Sequence, residues 1–237
     1  QAPRDLVVEL TALSRHGATA LQAFERGDRA AQRTAVLAGL AAVRNLRGQL
    51  RTLGLADDAV FEIDFRLAQK ESQYEEAALL VHDLRLEVLS DDGVVAADQP
   101  VTVSAQVANY GETAVAVRQI RFDGFASANI TCGADVVPAG AVYECESPMR
   151  LPETVPATDI HFERLPDAAR YRFDPDVPFG LPFRPTPFRA IFELDFTSGR
   201  IAIERPIVHR HGSDIFAGEK RMELQVVPRF AVEATPQ

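Results

Sequence analysis

The hydrophobic period of this chain changes once, near His82, and that single change limits the folds open to it. Before it, apolar residues recur at helical spacing; after it they alternate along strand-like runs. A helical pattern has no stable place in a sheet, nor an alternating one in a helix. The expectation is therefore an α+β, multidomain chain, with a helical part at 1–82 and a β part at 83–237. The boundary falls near residues 80 to 84.

In the first part, Leu6, Leu10, Leu13, Leu21 and Phe24 lie near one helical stripe, with Gly17 among them. Gly27 ends that helix and Asp28 caps the next. The second helix runs to about Leu53 through Val36, Leu40, Val43, Leu46 and Leu50, and Gly54 stops it. Asp57 or Asp58 caps a third, whose stripe is Val60, Ile63, Leu67, Tyr74 and Val81. Three amphipathic helices with short breaks predict an antiparallel helical bundle, and aligned stripes of this kind are core rather than a cofactor box.

The second part reads as strands. Leu84, Leu86 and Val88 alternate up to a turn at Asp91-Asp92-Gly93, and Val101 to Val107 alternate up to Asn109-Tyr110-Gly111. Val115, Val117, Ile120 and Phe122 follow with a slip of parity after Val117, which predicts a β-bulge. Strands at this spacing predict a β-sandwich. Cys132 and Cys145 are equidistant from a turn at Pro138-Ala139, so a hairpin folded there would place them on facing positions and permit a disulfide.

Residues 148–187 carry nine prolines, from Pro148 to Pro187, and predict a long crossover. A short edge strand is expected at Ile160-His161-Phe162, and Tyr171, Phe173, Phe179 and Phe183 are expected to hold the segment. Phe188 to Phe196 and Ile201 to Ile207 then form a hairpin about Ser198-Gly199. A closing strand is expected at Met222 to Val227, preceded by a bulge at Gly218.

Three runs of this last region, GLPFRPTPF, RPIVHR and above all GEKRMELQVVP, resemble the accessory region of large bacterial PIG-L (LmbE-like) deacetylases. The resemblance extends from about Leu50 to Val232. It implies a helical segment followed by an immunoglobulin-like sandwich, attached to a zinc-dependent N-acetyl-sugar deacetylase domain of the same polypeptide. The family's catalytic domain carries an A-H-P-D-D-E motif and a later His for zinc, with an Asp as general base. No such motif occurs here, so the resemblance implies a noncatalytic region without cofactor or metal, which positions or stabilises the enzyme or its substrate. Glu219, Lys220 and Arg221, with Arg184 of the GLPFRPTPF run, form the candidate interface. The bland alternative for Glu219-Lys220-Arg221 is a solvated bulge. The rival function is a stand-alone carbohydrate- or protein-binding module, weakened on the carbohydrate side because the chain has no Trp and only four Tyr on which to stack sugars.

Other chemistry is sparse. His209 and His211 share a strand face at ligand spacing, and Asp91, Asp92 and Asp98 surround a turn, but turn and surface roles explain both sets. No phosphate loop, nucleophile elbow or Cys-X-X-Cys occurs. The net charge of −9 is concentrated in residues 83–237, which carry 15 basic and 23 acidic side chains, and this argues against nucleic-acid partners. No apolar run approaches the length of a membrane span. The terminus QAPRDL lacks a signal pattern, so an export signal is either absent or already removed. A disulfide would place the protein in the bacterial periplasm or outside the cell.

Overall fold

The computed structural model describes residues 3–126, 131–133, 135–166, 169–178, 180–197, 199–214, 216 and 218–230. It is an α+β fold of three helices and mixed and antiparallel sheets. The helices are α1 (Arg4–Glu25), α2 (Arg29–Gln49), extended by a 3₁₀ turn at Leu50–Thr52, and α3 (Asp57–Val81). Gly27 and Gly54 take φ values of 69° and 67° past the ends of α1 and of the 3₁₀ turn. The Asp28 carboxylate accepts the Ala31 N–H at 3.0 Å and so caps α2. The third cap differs from expectation: Ala56 holds the cap position, and Asp57 and Asp58 sit within the first turn, where they favour the helix dipole. No described helix is long and apolar enough to cross a membrane.

Helix α2 packs against both α1 and α3 and carries the buried stripe from Ala35 to Leu46. Gly39 lets the Tyr74 ring lie directly on it, since a Cβ there would stand 2.3 Å from the ring. The Tyr74 hydroxyl then reaches the Leu13 carbonyl of α1 at 3.4 Å. The single α1 stripe does not hold. Leu6 is buried, but Leu10, Leu21 and Phe24 are exposed, because the face of α1 turned to α2 runs through Leu6, Leu13, Ala20 and Ala23 instead.

The strands are β1 (Leu84–Ser90), β2 (Val94–Val95), β3 (Pro100–Asn109), β4 (Val115–Asp123), β5 (Thr131–Cys132), β6 (Asp135–Val137) and β7 (Val142–Arg150). They continue as β8 (Phe162–Arg164), β9 (Tyr171–Phe173), β10 (Arg189–Phe196), β11 (Gly199–Pro206), β12 (Val208–Asp214), β13 (Gly218–Glu223) and β14 (Gln225–Val226). One sheet has the order β13-β12-β1-β3-β7, with β1 and β12 parallel. The other has the order β11-β10-β4, with β5 and β6 both along β4. Val103, Ala105 and Val107 of the first sheet and Val117, Ile120, Phe192, Leu194 and Ile203 of the second are fully buried in one cluster, shared with Leu40, Val43 and Leu46 of α2. Arg44 fastens the helices to the second sheet: it binds Glu71 and Glu75 of α3 and donates to the Ala202 carbonyl of β11 at 2.7 Å.

The parity slip in β4 is real. Glu193 lies opposite Gln119 and Leu194 opposite Val117, so Arg118 is the extra residue. The β10–β11 hairpin also forms, with Phe196 opposite Gly199; Ser198 of its expected turn lies outside the described residues.

The disulfide joins the expected cysteines by an unexpected route. Cys132 and Cys145 are bonded, but β5 pairs with β4 of the second sheet and β7 with β3 of the first. The bond therefore links two sheets rather than facing positions of one hairpin. The turn at Pro138-Ala139 passes the chain from one sheet to the other.

The Pro-rich stretch also departs in part from expectation. Pro148 belongs to β7, an edge strand, where proline is tolerated. Beyond it, β8 and β9 make a separate hairpin instead of an edge strand at Ile160. Tyr171 and Phe173 are partly solvent-exposed but pack on Phe162, and Phe173 also on His161, as expected of them, whereas Phe183 is exposed; buried Leu151, His161, Val177 and Thr186 anchor the rest. Phe179 lies outside the described residues.

Candidate functional site

The block GEKRME is itself a strand, β13, so the candidate cations lie within a ladder and not ahead of it. Gly218 has the expected positive φ of 69°, but the irregularity falls on the opposite strand, where Gly212 at φ 60° is the extra residue between His211 and Ser213. After Glu223 the chain turns at buried Leu224, and β14 leaves the sheet to pair with β2 in parallel. The expected single strand from Met222 to Val227 is thus divided at Leu224. Pleating puts Glu223, Arg221 and Glu219 on one side of β13.

Arg221 lies opposite Arg210 of β12, and Glu87 projects from β1, the next strand. Two cations side by side would repel, and Glu87 resolves this by accepting from both: Arg210 at 2.8 Å, and Arg221 through its second oxygen. Glu219 closes the ring on the other side, bound to Arg210 at 2.9 Å and to Arg221. The Glu87 side chain is only 10% exposed. Burial pushes its carboxyl up, but hydrogen bonds from Arg210 and Arg221 outweigh that and hold it below the ordinary carboxylate range. Along the same row, Gln106 of β3 donates to Glu144 of β7 at 2.9 Å. The cluster is therefore a neutralised, preorganised array on a rigid sheet, with Lys220 exposed on the opposite pleat beside His211. Glu87 and Arg210 were missed in the sequence because the β12–β13 pairing brings Arg210 to Arg221 and the β1–β12 pairing brings Glu87.

Arg184 stands apart from this cluster. It binds Asp174 at 2.7 Å and Asp176 at 2.5 Å, and its own N–H donates to the Asp159 carbonyl at 3.0 Å. Hydrogen bonding to Asp176 raises its pKa further above the usual guanidinium value. It lines a groove of about 450 Å³ whose other walls include Asp159, exposed Phe183, Glu223 and Gln225. The floor is held by Thr158, whose N–H donates to the Val226 carbonyl at 3.0 Å and whose hydroxyl accepts the Val226 N–H at 2.9 Å. The four candidate residues thus divide: Glu219 and Arg221 join the sheet cluster, Arg184 joins the groove, and Lys220 joins neither.

His209 and the turn aspartates have structural partners, while His211 is exposed. His209 donates from Nδ1 to the Ser90 carbonyl at 3.0 Å, and its ring covers Gly93, where a Cβ would stand 2.8 Å away. The Asp92 carboxylate accepts the Gly93 and Val94 N–H groups, and these bonds, led by that of Val94, hold its pKa low. Asp91 accepts the Thr102 N–H, and Asp98 pairs with Arg150. Among the described residues no three His, Cys, Asp or Glu side chains are grouped to hold a metal ion.

No family model matches the chain, and no curated protein does. Among solved structures, the sporulation control protein Spo0M from Bacillus subtilis is similar at 10% identity and a TM-score of 0.29, over 60% of this chain and 49% of that one. This chain thus corresponds to about half of Spo0M. The structural-genomics target SoR45 is similar at 12% identity and a TM-score of 0.27, over 65% of this chain and 93% of that one. The DNA glycosylase AlkC from Pseudomonas fluorescens, bound to DNA with an abasic site analog, is similar at 10% identity and a TM-score of 0.25, over 73% and 46%. Likenesses this low carry no inference about activity.

Proposed function

We propose that this chain is the noncatalytic accessory region of a PIG-L-like, zinc-dependent N-acetyl-sugar deacetylase, an antiparallel helical bundle followed by an immunoglobulin-like β-sandwich. Its work is to position or stabilise the catalytic domain of the same polypeptide. The observation that supports this is a convergence: two of the blocks that carry the resemblance meet in one groove. GLPFRPTPF supplies Phe183, Arg184 and Thr186, and GEKRMELQVVP supplies Glu223 through Pro228. The docking face comprises this groove and the adjoining strand residues Glu219, Lys220 and Arg221. The compartment is the periplasm or the exterior, where the Cys132–Cys145 bond persists.

The test has two arms. The isolated chain, assayed on an N-acetylglucosamine substrate, releases no acetate and keeps no stoichiometric zinc after dialysis against a weak chelator. The zinc deacetylase domain encoded upstream of Gln1 binds the chain in titration calorimetry, and Arg184→Ala weakens that binding. Acetate release overturns the noncatalytic reading, and an upstream region lacking the A-H-P-D-D-E motif overturns the assignment to a deacetylase.

One observation favours a second reading, a carbohydrate-binding module. In the groove, exposed Phe183 offers a stacking face beside Asp159, Glu223 and Gln225, which can accept or donate to sugar hydroxyls. Chemical-shift changes confined to the groove on titration with oligosaccharide would select it over the docking role.

A further inference from the structure

Helix α1 carries two apolar stripes, and only one of them is used. Leu6, Leu13, Ala20 and Ala23 pack inward. Val7, Leu10, Leu21 and Phe24 are 40% to 65% exposed. With Ser14 and Gly17 these four follow a strict alternation of three and four residues, the a and d positions of a heptad. The stripe extends about 25 Å along the helix at 1.5 Å per residue. Such a seam is long enough for a second helix to lie in.

Its order says which helix. The positions are symmetric about the midpoint between Arg15 and His16: Val7 mirrors Phe24, Leu10 mirrors Leu21, and Ser14 mirrors Gly17. An antiparallel pair of identical helices needs this arrangement, because its two-fold axis crosses the middle of the seam and every layer joins an a to a d position. The small residues Ser14 and Ala18 lie exposed at that axis, where the backbones come closest, while Gly17 beside them is half-buried against the Tyr74 hydroxyl of its own chain. A shallow depression lies beside it, lined by Val7, Leu10, Thr11, Ser14, Arg15 and Ala18.

Charge agrees with the same register. The flanking positions on the exposed side of the seam are Arg4, Thr11, Ala18 and Glu25. In an antiparallel pair they face one another in mirrored order, so Arg4 of one copy meets Glu25 of the other, twice per dimer. A parallel pair would instead turn Arg4 and Glu25 toward the partner's opposite flank, Leu6, Leu13 and Ala20, and give neither an opposite charge. The other flank, Leu6, Leu13 and Ala20, is already occupied by the core of its own copy.

We propose that the occupant of this face is a second copy of the chain, docked α1 to α1 in antiparallel orientation about a two-fold axis at Ser14 and Gly17. The inference stands whether or not the chain serves a deacetylase.

Sedimentation equilibrium of the full chain, from low to high micromolar concentration, tests it. A monomer–dimer equilibrium is expected. Leu10→Lys and Leu21→Lys each weaken the dimer at least about tenfold, since each removes a buried leucine from two symmetric sites. Arg4→Glu weakens it about two- to fivefold per pair, and the double variant Arg4→Glu/Glu25→Arg restores it. All four changes are on exposed positions, and circular dichroism melts check that the fold is kept. A chain that sediments as a monomer throughout overturns the proposal and leaves the face to a different partner. A dimer unaffected by the lysine substitutions also overturns it, as does a charge reversal that the second reversal fails to rescue.

Discussion

Removing the inter-sheet disulfide gives the most direct reading of how far the fold depends on one covalent link. The bond joins residues 13 apart in sequence. Closing a loop of that size removes about 3 kcal/mol of conformational freedom from the unfolded chain in the chain-entropy model. A chain of 237 residues unfolds with an entropy of about 0.5 kcal/mol/K at roughly 2.1 cal/mol/K per residue, so this loss corresponds to about 6 °C in Tm. Cys132 is 3% exposed, and the variant Cys132→Ala/Cys145→Ala forfeits some packing as well, about 1 kcal/mol more. The assay is calorimetric melting of the wild type with and without reductant, beside the double variant. The reduced wild type is expected about 6 °C below the oxidised protein and the double variant about 8 °C below, with the variant indifferent to reductant. Thiol titration of the denatured, unreduced wild type should find no free thiol. Hydrogen exchange adds a local readout, because β5 and β6 hang on β4 beside the bond and should lose protection before β10 does. If oxidised, reduced and double-variant proteins all melt within about 1 °C of each other, the bond constrains nothing and the reasoning fails.

Three further outcomes follow from the packing. Glu87→Ala removes the nearly buried partner of Arg210 and Arg221 and leaves them Glu219 alone, and should cost about 2 to 3 kcal/mol in urea unfolding, against about 0 to 1 for the more exposed Glu219→Ala; equal losses would refute the bridging role of Glu87. Gly39→Ala drives a methyl into the Tyr74 ring and should cost about 1 to 3 kcal/mol, and adding Tyr74→Leu should recover part of it; simple additivity would show that the ring is not the obstacle. His82 is buried against Phe196 and donates from Nδ1 to the Ala78 carbonyl, and desolvation lowers its pKa from 6.5. The unfolded chain takes up that proton first, so this contribution is complete above about 6.5 and is lost as pH falls toward the lowered folded value. His82→Gln should therefore show a flatter urea midpoint between pH about 7.5 and 5 than the wild type, and parallel profiles would count against it.

What the sequence made legible was whatever is decided within a few residues. The change of period at His82 sets the end of α3 at Val81 and the start of β1 at Leu84. Gly27, Asp28 and Gly54 act through their own backbone, and the slip after Val117 is a local matter of parity. What was hidden depends on pairing at long range. The two stripes of α1 cannot be told apart until α2 chooses one of them. Cys132 and Cys145 fit a hairpin by arithmetic, but whether β6 pairs with β7 or with β4 is decided by the apolar faces of two sheets. The charged block was legible as a patch, while its counter-charge, Glu87, lies 134 residues away from Arg221.

The parallel pairing of β1 with β12 also has a meaning in time. Strand β1 gains β3 soon after it is made, with Ser90 opposite Val103. Its other neighbour is far off: His209, opposite Ser90, comes 119 residues later. At roughly 5 to 20 residues per second of synthesis, the strand waits about 6 to 24 s with one flank open. An unpaired flank on an apolar strand is a template for other chains. Nascent chains that stall before Val208 should therefore be the ones that aggregate, and a chaperone that shields strand edges has that interval in which to act.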